Sequence, residues 1–260
     1  MPEKNNLLGF TREELQDYLH SLNEKPYRGL QIFEWIHNKG VTDFNSMTNL
    51  GSDLVEKLKQ NSKIEVPEVV DISISSEGTK KFLLKLDNDS FIEMVKIPEK
   101  NRQTLCISSQ AGCALQCSFC ATGFNGFKRN LTSSEIISQL WLANYYKNNS
   151  ERVSNVVFMG MGEPLMNTEN VLKTISIMQD QKCYSLSKRR ITLSTSGIVP
   201  QIDAITGKTD VSLAISLHAS NDDLRNKIVP INKKYPIKDL LSSSKKYLKS
   251  LSRKSYITIE

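Results

Sequence analysis

The sequence predicts an α/β protein in which a helical module and a short antiparallel segment precede a barrel-like domain of parallel strands. Three observations support this class. Apolar residues within residues 1–65 recur with helical spacing, residues 66–100 alternate apolar and polar side chains, and residues 101–260 alternate short apolar runs with longer amphipathic ones. Because regular alternation of strand and helix is typical of parallel βαβ units, we place the domain boundaries near residues 65 and 100.

The helical module is predicted to contain three helices. Thr11 precedes Glu14 by three residues, which is the spacing of a capping box at a helix start. Two further helices are expected from Tyr27 to Asn38 and from Asp53 to Gln60.

The segment that follows is predicted to be an antiparallel meander. Its alternating pattern is interrupted at Glu77-Gly78 and again at Asp87-Asn88-Asp89. These turn-forming residues divide residues 66–98 into three short strands.

The last part of the chain alternates strands with helices. The expected strands are TLCIS, NVVFMG, RRITLSTS, VSLAISLH and SYITIE, and the expected helices cover residues 133–146, 169–179 and 238–251. Ligands of such sheets bind at the carboxyl ends of the strands. Since unusual loops follow the first four strands, we predict one active site on that edge.

Composition and charge restrict the class of partner. Residues 1–100 carry 13 Lys and Arg against 17 Asp and Glu, whereas residues 101–260 carry 21 against 11. A basic half favours a polyanionic partner, and a solvated lysine-rich surface is the alternative. No apolar run approaches the roughly 18–20 residues of a transmembrane helix, and the N-terminus becomes charged too early for a secretory signal. We therefore expect a soluble cytoplasmic protein with no membrane partner.

Three of the five cysteines form the motif Cys113-x3-Cys117-x2-Cys120. A structural zinc site needs a fourth ligand, and Cys183 lies in a helix-to-strand connection away from the predicted site. Iron–sulfur clusters are also held by cysteine thiolates, and three protein ligands leave one iron open to an external chelator. Zinc and an iron–sulfur cluster are the alternatives, and the spacing favours the cluster.

The other strand-end loops carry glycine and hydroxyl residues. In Gly160-Met161-Gly162-Glu163-Pro164 the glycines permit close approach to a ligand, and Glu163 can accept a hydrogen bond from a ligand amino group. Ser194 and Ser216-Leu217-His218 end later strands, where hydroxyls suit ribose or carboxylate groups. The alternative for each is an ordinary turn or a structural strand end.

Two stretches combine features of a nucleic-acid surface. Residues 124–130, FNGFKRN, join aromatics and cations directly after the cysteine motif, and Lys188-Arg189-Arg190 opens a predicted strand. Both fit phosphate contacts near the site, with aromatics available to stack on bases. A solvated basic surface is the alternative.

Long runs of the sequence resemble the RlmN/Cfr family of radical S-adenosylmethionine RNA methyltransferases. These runs are SSQAGCAL, CATGFNGFKRNLTSSEI, NVVFMGMGEPLMN, LSKRRITLSTSGIVP and AISLHASNDDLRNKIVPINKKYPI. The C-x3-C-x2-C spacing is also the signature of radical S-adenosylmethionine enzymes. The resemblance covers residues 7–260 and implies an incomplete (βα)6 partial TIM-like barrel with a [4Fe–4S] cluster and S-adenosylmethionine as cofactors.

The resemblance also implies roles for individual residues. The cluster ligands would be Cys113, Cys117 and Cys120. The contacts to S-adenosylmethionine would be Gly162, Glu163, Ser194, Ser216, Leu217 and His218. Cys106 matches the cysteine that helps resolve the covalent enzyme–RNA intermediate, and Glu93 matches the residue assigned as proton acceptor.

The implied reaction is methylation of C2 of an adenosine in the peptidyl-transferase region of 23S rRNA, and of a tRNA adenosine beside the anticodon. Methylation at C8 of the same rRNA adenosine, as in the Cfr type, is the alternative. The helical module would be an RNA-binding accessory domain. We also expect a monomer that receives electrons from a donor such as flavodoxin or ferredoxin.

The last residue, Glu260, falls within the fifth strand of the expected barrel, whereas the family continues further. The family's methyl-carrying cysteine and an asparagine that contacts S-adenosylmethionine belong to that later stretch, and Cys183 lies in a different part of the pattern. We therefore expect these 260 residues to assemble a cluster without transferring a methyl group. A truncated copy that only binds RNA is the non-enzyme alternative.

Overall fold

The computed structural model describes residues 4–86, 90–148, 151–252 and 256–260. The helical module consists of α1 (Arg12–Ser21), α2 (Tyr27–His37) and α3 (Ser52–Asn61). Two short parallel strands, β1 (Asn5–Asn6) and β2 (Ser62–Lys63), join its ends. The predicted capping box is confirmed, because the Thr11 hydroxyl accepts from the Glu14 N–H and the Glu14 carboxylate accepts from the Thr11 N–H.

The remaining strands are, in chain order, β3 (Glu68–Ile74), β4 (Lys80–Lys85), β5 (Phe91–Glu99), β6 (Arg102–Cys106), β7 (Gln110–Gly112), β8 (Phe127–Asn130), β9 (Asn155–Phe158), β10 (Ile191–Thr195), β11 (Ser212–Ile215) and β12 (Thr258–Ile259). β7 and β8 form a small antiparallel hairpin. Within the described part of the chain, the others form one eight-stranded sheet with the order β12-β11-β10-β9-β6-β5-β4-β3.

The antiparallel meander predicted for residues 66–98 is confirmed by β3, β4 and β5, each paired with the next. Its first turn carries Gly78 in the left-handed region, at φ 84°, where glycine is favoured. The predicted turn at Asp87-Asn88-Asp89 lies outside the described residues.

The pairing changes at β6, which is antiparallel to β5 and parallel to β9. From β6 onward the strands β9, β10, β11 and β12 pair in parallel and in sequence order. The α/β class predicted for the last part of the chain is therefore confirmed. Because parallel strands share one direction, their carboxyl ends meet at one edge of the sheet.

In the part of the chain that the structure describes, six α-helices connect or follow these strands: α4 (Ala121–Phe124), α5 (Ser133–Tyr145), α6 (Thr168–Gln179), α7 (Val199–Ile205), α8 (Asp222–Ile228) and α9 (Ile237–Ser250). The bounds of α5, α6 and α9 lie within one residue of the prediction. The helices α4, α7 and α8 were not predicted, since seven residues or fewer cannot establish a helical period. At α8, however, Asn221 is an N-cap whose side chain accepts from the Leu224 N–H.

The helical module packs directly against α5. The Trp141 indole donates to the Ile36 carbonyl at 2.9 Å, and the Tyr145 hydroxyl donates to the His37 carbonyl at 2.8 Å. His37 is itself buried, with its Nδ1 3.1 Å from the Tyr184 hydroxyl. One hydrophobic core runs from the module into the sheet. The boundaries at residues 65 and 100 remain predictions.

Among the described residues, none of the helices has both the length and the apolar character that a membrane crossing requires.

Candidate cofactor site at the carboxyl ends of the parallel strands

A cavity of about 260 Å³ opens where the loops after β6, β9, β10 and β11 meet. We call this edge the carboxyl rim, comprising residues 107–126, 159–164, 196–198 and 216–221. Eight of the eleven predicted site residues line the cavity: Cys113, Cys117, Cys120, Gly162, Glu163, Ser194, Ser216 and His218. Residues from distant parts of the sequence therefore converge as the fold class predicts.

The cysteine loop is held at its base by the hairpin of β7 and β8. The Cys113 N–H donates to the Gly126 carbonyl at 3.1 Å, which closes the loop. Gly112 has φ 79°, and a Cβ at this position would lie 1.8 Å from the Gly126 carbonyl oxygen. Only glycine fits this crossing, so the sequence Gly112-Cys113 positions the first thiol.

Two of the three thiols, those of Cys113 and Cys117, lie in surroundings that disfavour free thiolates. Burial raises the pKa of Cys113 and of Cys117, and the neighbouring Glu163 carboxylate and the other thiols of the motif add to this effect. A bound metal centre compensates such a cost, because its positive charge deprotonates coordinating thiols. The donor chemistry therefore fits an iron–sulfur cluster.

The described residues contain no group of three or more His, Cys, Asp or Glu side chains placed to hold one metal ion. A cluster has less strict requirements, because each of its cysteines binds a different iron.

The glycines of the loop after β9 are required by close packing against the chain itself. A Cβ on Gly160 would lie 2.7 Å from the Ile107 backbone, and one on Gly162 would lie 2.4 Å from Cβ of Gln110. The Gln110 amide oxygen also accepts the Glu163 N–H at 2.8 Å. These contacts fix the loop after β9 against the cysteine loop.

Glu163 is buried between two strand-end loops. Its carboxylate accepts backbone N–H groups from Leu165 at 3.1 Å and from Ser196 at 2.8 Å. Burial nevertheless raises its pKa, and these hydrogen bonds offset part of that shift. A carboxylate has further acceptor sites, so Glu163 can accept a hydrogen bond from a ligand amino group in the cavity.

The loop after β11 contributes backbone and aromatic contacts. Ser216 N–H donates to the Thr195 carbonyl, which ties β11 to β10. His218 has φ 58°, and its ring makes an edge contact with Phe119 of the cysteine loop at 4.6 Å between centroids. Leu217 does not line the cavity; its N–H, like that of His218, donates to the Glu260 carbonyl.

Cys106 and Glu93 lie outside the cavity but on one face of the sheet. Cys106 pairs with Val95, and Glu93 is two residues before Val95 on the same strand. Burial raises the pKa of Cys106 to about 11, while a backbone contact from Met159, which lines the cavity, lowers it in part. The Glu93 carboxylate is half-exposed and lies 3.0 Å from Lys81 Nζ.

Ser108 connects this face to the carboxyl rim. Its hydroxyl donates to the Glu93 carbonyl at 2.6 Å and accepts from the Met161 N–H at 2.8 Å. The backbone of β5 is thereby fixed relative to the loop after β9.

Two residues that the sequence reasoning did not single out organise the site. Ser196 donates its N–H to Glu163, and its hydroxyl interacts with the Cys117 thiol. Arg225, on α8, is fully buried, and burial lowers its pKa. Arg225 comes soon after Ser216-Leu217-His218 in the sequence. It was missed because a single arginine in a polar stretch is expected to be exposed.

The two basic stretches lie at opposite ends of the sheet. Phe124 and Phe127 are exposed beside the cysteine loop, and Lys128, the second residue of β8, is exposed next to Phe127. The expectation that Lys188-Arg189-Arg190 lies near the site is wrong. These residues precede β10, at its amino end, and Lys188 pairs with Asp210.

A larger cavity of about 760 Å³ lies between the helical module and β3–β4, lined in part by Lys4, Phe10, Lys63 and Arg129. It contains no cysteine, and Arg129 is paired with Glu135. Cavity size therefore does not identify the cofactor site. Cys183 lies apart from both cavities and donates its thiol to the Ile177 carbonyl.

Comparisons with known proteins agree with this geometry. Residues 5–64 match the ribosomal RNA large subunit methyltransferase N-terminal domain, and residues 107–259 match the radical SAM superfamily. Enzymes of this superfamily use a [4Fe–4S] cluster and S-adenosylmethionine.

Two curated relatives are named dual-specificity RNA methyltransferase RlmN. The protein of Marinobacter nauticus is 50% identical over 99% of this chain and 71% of its own length, and that of Pseudomonas putida is 52% identical over 99% and 69%. A solved radical SAM methyltransferase from Sphaerobacter thermophilus superposes with a TM-score of 0.91 at 36% identity, covering 98% of this chain and 75% of that one. The chain therefore belongs to the RlmN family of radical S-adenosylmethionine methyltransferases.

Proposed function

We propose that the protein is a radical S-adenosylmethionine RNA methyltransferase that acts at C2 of an adenosine in 23S rRNA and in tRNA. The observation that carries the proposal is the convergence of Cys113, Cys117, Cys120, Glu163 and Ser194 on one cavity. The curated relatives are named for dual-specificity RNA methylation. Methylation at C8 is the second candidate; the relatives are named RlmN, and the resemblance of this sequence to RlmN-type enzymes implies C2.

The chemistry of the target explains this machinery. C2 of adenine is an electrophilic amidine carbon, so a polar methyl transfer from a sulfonium cannot reach it. A cluster held by Cys113, Cys117 and Cys120 would supply, when reduced, the single electron that reductive cleavage of S-adenosylmethionine requires. The work of the protein is to bind the cofactors, orient them and admit the adenosine.

Each part of the cavity has a proposed role in this work. Cys113, Cys117 and Cys120 hold the cluster, while the Glu163 carboxylate accepts the cofactor's amino group. Ser194 and the Ser216-Leu217-His218 loop contact the nucleoside and carboxylate groups from the neighbouring strand ends. These contacts fix the reactive carbon relative to the cluster, as catalysis by positioning requires.

Cys106 and Glu93 are proposed to act on the RNA adduct. Both lie on the sheet face beside the cavity, and Cys106 is protonated at neutral pH because burial raises its pKa to about 11. Glu93 is half-exposed and lies 3.0 Å from Lys81 Nζ, so its carboxylate can be reached by a proton donor on a bound base. The target base must leave its stack to reach this face, at a cost of a few kcal/mol.

RNA reaches the carboxyl rim, in this proposal, across the exposed Phe124, Phe127 and Lys128. Aromatic side chains can stack on an unpaired base, and a lysine can contact a phosphate. The helical module serves as an RNA-binding accessory domain. We further propose that the protein acts in the cytoplasm as a monomer and receives electrons from flavodoxin or ferredoxin.

The test has two stages. The 260-residue chain is reconstituted anaerobically with iron and sulfide, and the release of 5′-deoxyadenosine from S-adenosylmethionine is measured after reduction. We expect release that depends on Cys117. If the chain binds RNA tightly but takes up zinc instead of iron, the result would support the alternative of a copy that only binds RNA.

In the second stage, native protein isolated from its source cells is incubated with a 23S rRNA fragment, and its nucleosides are separated by mass spectrometry. We expect 2-methyladenosine. Formation of 8-methyladenosine would assign the protein to the second candidate, and the absence of both from a cluster-loaded native protein would reject RNA methylation.

A further inference from the structure

Arg225 forms hydrogen bonds to two of the strand-end loops of the carboxyl rim. Its Nε donates to the Leu217 carbonyl at 2.9 Å, and its Nη2 donates to the carbonyls of Ser196 at 2.7 Å and Ser216 at 3.0 Å. Its Nη1 donates to the amide oxygen of Asn232 at 2.7 Å. One guanidinium thus fixes the loops after β10 and β11 relative to each other.

The helix that carries Arg225 also packs against the cysteine loop. The Ser118 N–H donates to the Ile228 carbonyl at 3.0 Å. Leu115 and Cys117 form a small buried cluster with Val229, against which the other two cysteines pack. The segment around α8 therefore contacts the cluster-binding loop on one side and the strand-end loops on the other.

Among the described residues, no carboxylate accepts a hydrogen bond from Arg225. Its four acceptors are neutral oxygens, and the nearest acid on its own helix, Asp222, is partly exposed and bonded to Asn232 and the Ile237 N–H. A buried cation is costly unless an anion compensates it. A cluster bound by three thiolates is anionic, and Arg225 is close enough to interact electrostatically with a thiolate of Cys117 as well as with the partly exposed Asp222.

We propose that Arg225 is a positioning residue for both cofactors. It fixes the distance between the cysteine loop and the loops that contact S-adenosylmethionine, and it is the internal counter-charge of the iron–sulfur cluster. As a positive charge near the cluster, it favours the reduced form and raises the reduction potential.

The two roles are separated by two substitutions in the reconstituted chain. Arg225→Met removes the charge and the hydrogen bonds, and we expect iron content close to wild type, S-adenosylmethionine bound at least tenfold more weakly, and a more negative cluster potential. Arg225→Lys retains the charge but not the fork of donors. We expect Arg225→Lys to have a cluster potential close to that of the wild type, while its affinity for S-adenosylmethionine remains weakened.

Arg189→Met is the matched control, because Arg189 is exposed at the amino end of β10. We expect it to leave both readouts unchanged. An arginine that served the fold alone would give variants with lower thermal stability and an unchanged potential in the molecules that retain a cluster, and that result would overturn the proposal.

If Arg225→Met fails to fold, Asn232→Ala decides the positioning role. This change removes one acceptor of Arg225 and leaves its three carbonyl bonds, so we expect binding about threefold weaker at an unchanged potential. Unchanged binding in Asn232→Ala would overturn the proposal.

The inference rests on the proposed cofactor residues, and the wild type tests these separately. A wild-type chain that takes up no iron would reject the cofactor site itself. If the wild-type chain takes up iron normally and Arg225→Met has the same affinity for S-adenosylmethionine and the same cluster potential, only the inference about Arg225 is rejected.

Discussion

The carboxyl rim and the interface between the helical module and α5 both bury titratable side chains, but with different surroundings. At the rim, burial raises the pKa of Cys113, Cys117 and Glu163, and all three line a cavity. At the module interface, burial lowers the pKa of His37 to about 3, and its ring packs against Phe33 and Tyr184.

The difference shows that a shifted pKa does not by itself identify a functional site. At the interface the neutral form is packed in place, so the shift reports only the cost of ionising a core residue. At the rim the thiols and the carboxylate face a space that a cluster and a cofactor can fill, and the irons of a cluster compensate the cost of the thiolates that bind them. Access for a ligand distinguishes the two regions.

The largest expected effect tests this distinction with two cysteines. Cys117→Ala should abolish cluster assembly, reducing iron from about four per chain to background, because a [4Fe–4S] cluster relies on cysteine thiolates. Cys183→Ala is the control: its thiol is also buried, and burial raises its pKa to about 12, but it lies away from the rim. Iron content after anaerobic reconstitution measures both. Equal losses of iron in Cys117→Ala and Cys183→Ala would contradict the assignment of Cys117 as a cluster ligand.

The second prediction concerns pH and His37. The pKa of His37 is near 3 in the folded chain and near 6.5 when unfolded, so its neutral form stabilises the fold above pH 6.5. This contribution is lost as the pH falls from 6.5 towards 3, at about 1 kcal/mol per pH unit. Urea unfolding between pH 7 and pH 5 measures it.

The control for this measurement is His37→Gln, which cannot ionise. Its free energy of unfolding should be lower at pH 7, because the substitution disturbs the packing, but should fall less steeply as the pH decreases. Parallel slopes for the two proteins would show that His37 is already accessible to solvent protons.

The sequence predicted the regular framework well and the supporting contacts poorly. The three helices α5, α6 and α9 and the meander follow from periodicity, and the resemblance located the three cysteines and Glu163. Arg225 and Ser196 were missed because their importance depends on contacts between residues far apart in sequence, such as Arg225 to Ser196. Lys188-Arg189-Arg190 was misplaced because its charge was weighed without its position: it opens a strand, and the amino ends of parallel strands lie at the edge opposite the site.

The third prediction concerns Glu163. Glu163→Gln keeps the shape but turns one acceptor into a donor that faces the N–H of Leu165 or Ser196. We expect S-adenosylmethionine to bind about tenfold more weakly, which equals about 1.4 kcal/mol, with the cluster still assembled. Equilibrium binding to the reconstituted chain measures this change. Glu169→Gln, at a surface helix start, should leave binding unchanged.

The smallest expected effect compares the two basic surfaces. Lys128 is exposed on β8 beside the rim, whereas Arg189 is exposed at the opposite end of β10. If RNA approaches across the rim, Lys128→Met should weaken RNA binding a few-fold and reduce the slope of log affinity against log salt by about one, because one phosphate contact is lost. Arg189→Met should change neither quantity. Titrations of a 23S rRNA fragment at several salt concentrations measure both slopes. A larger effect from Arg189→Met than from Lys128→Met would show that RNA binds at the amino end of β10, away from the carboxyl rim, and would contradict the proposed path of the RNA.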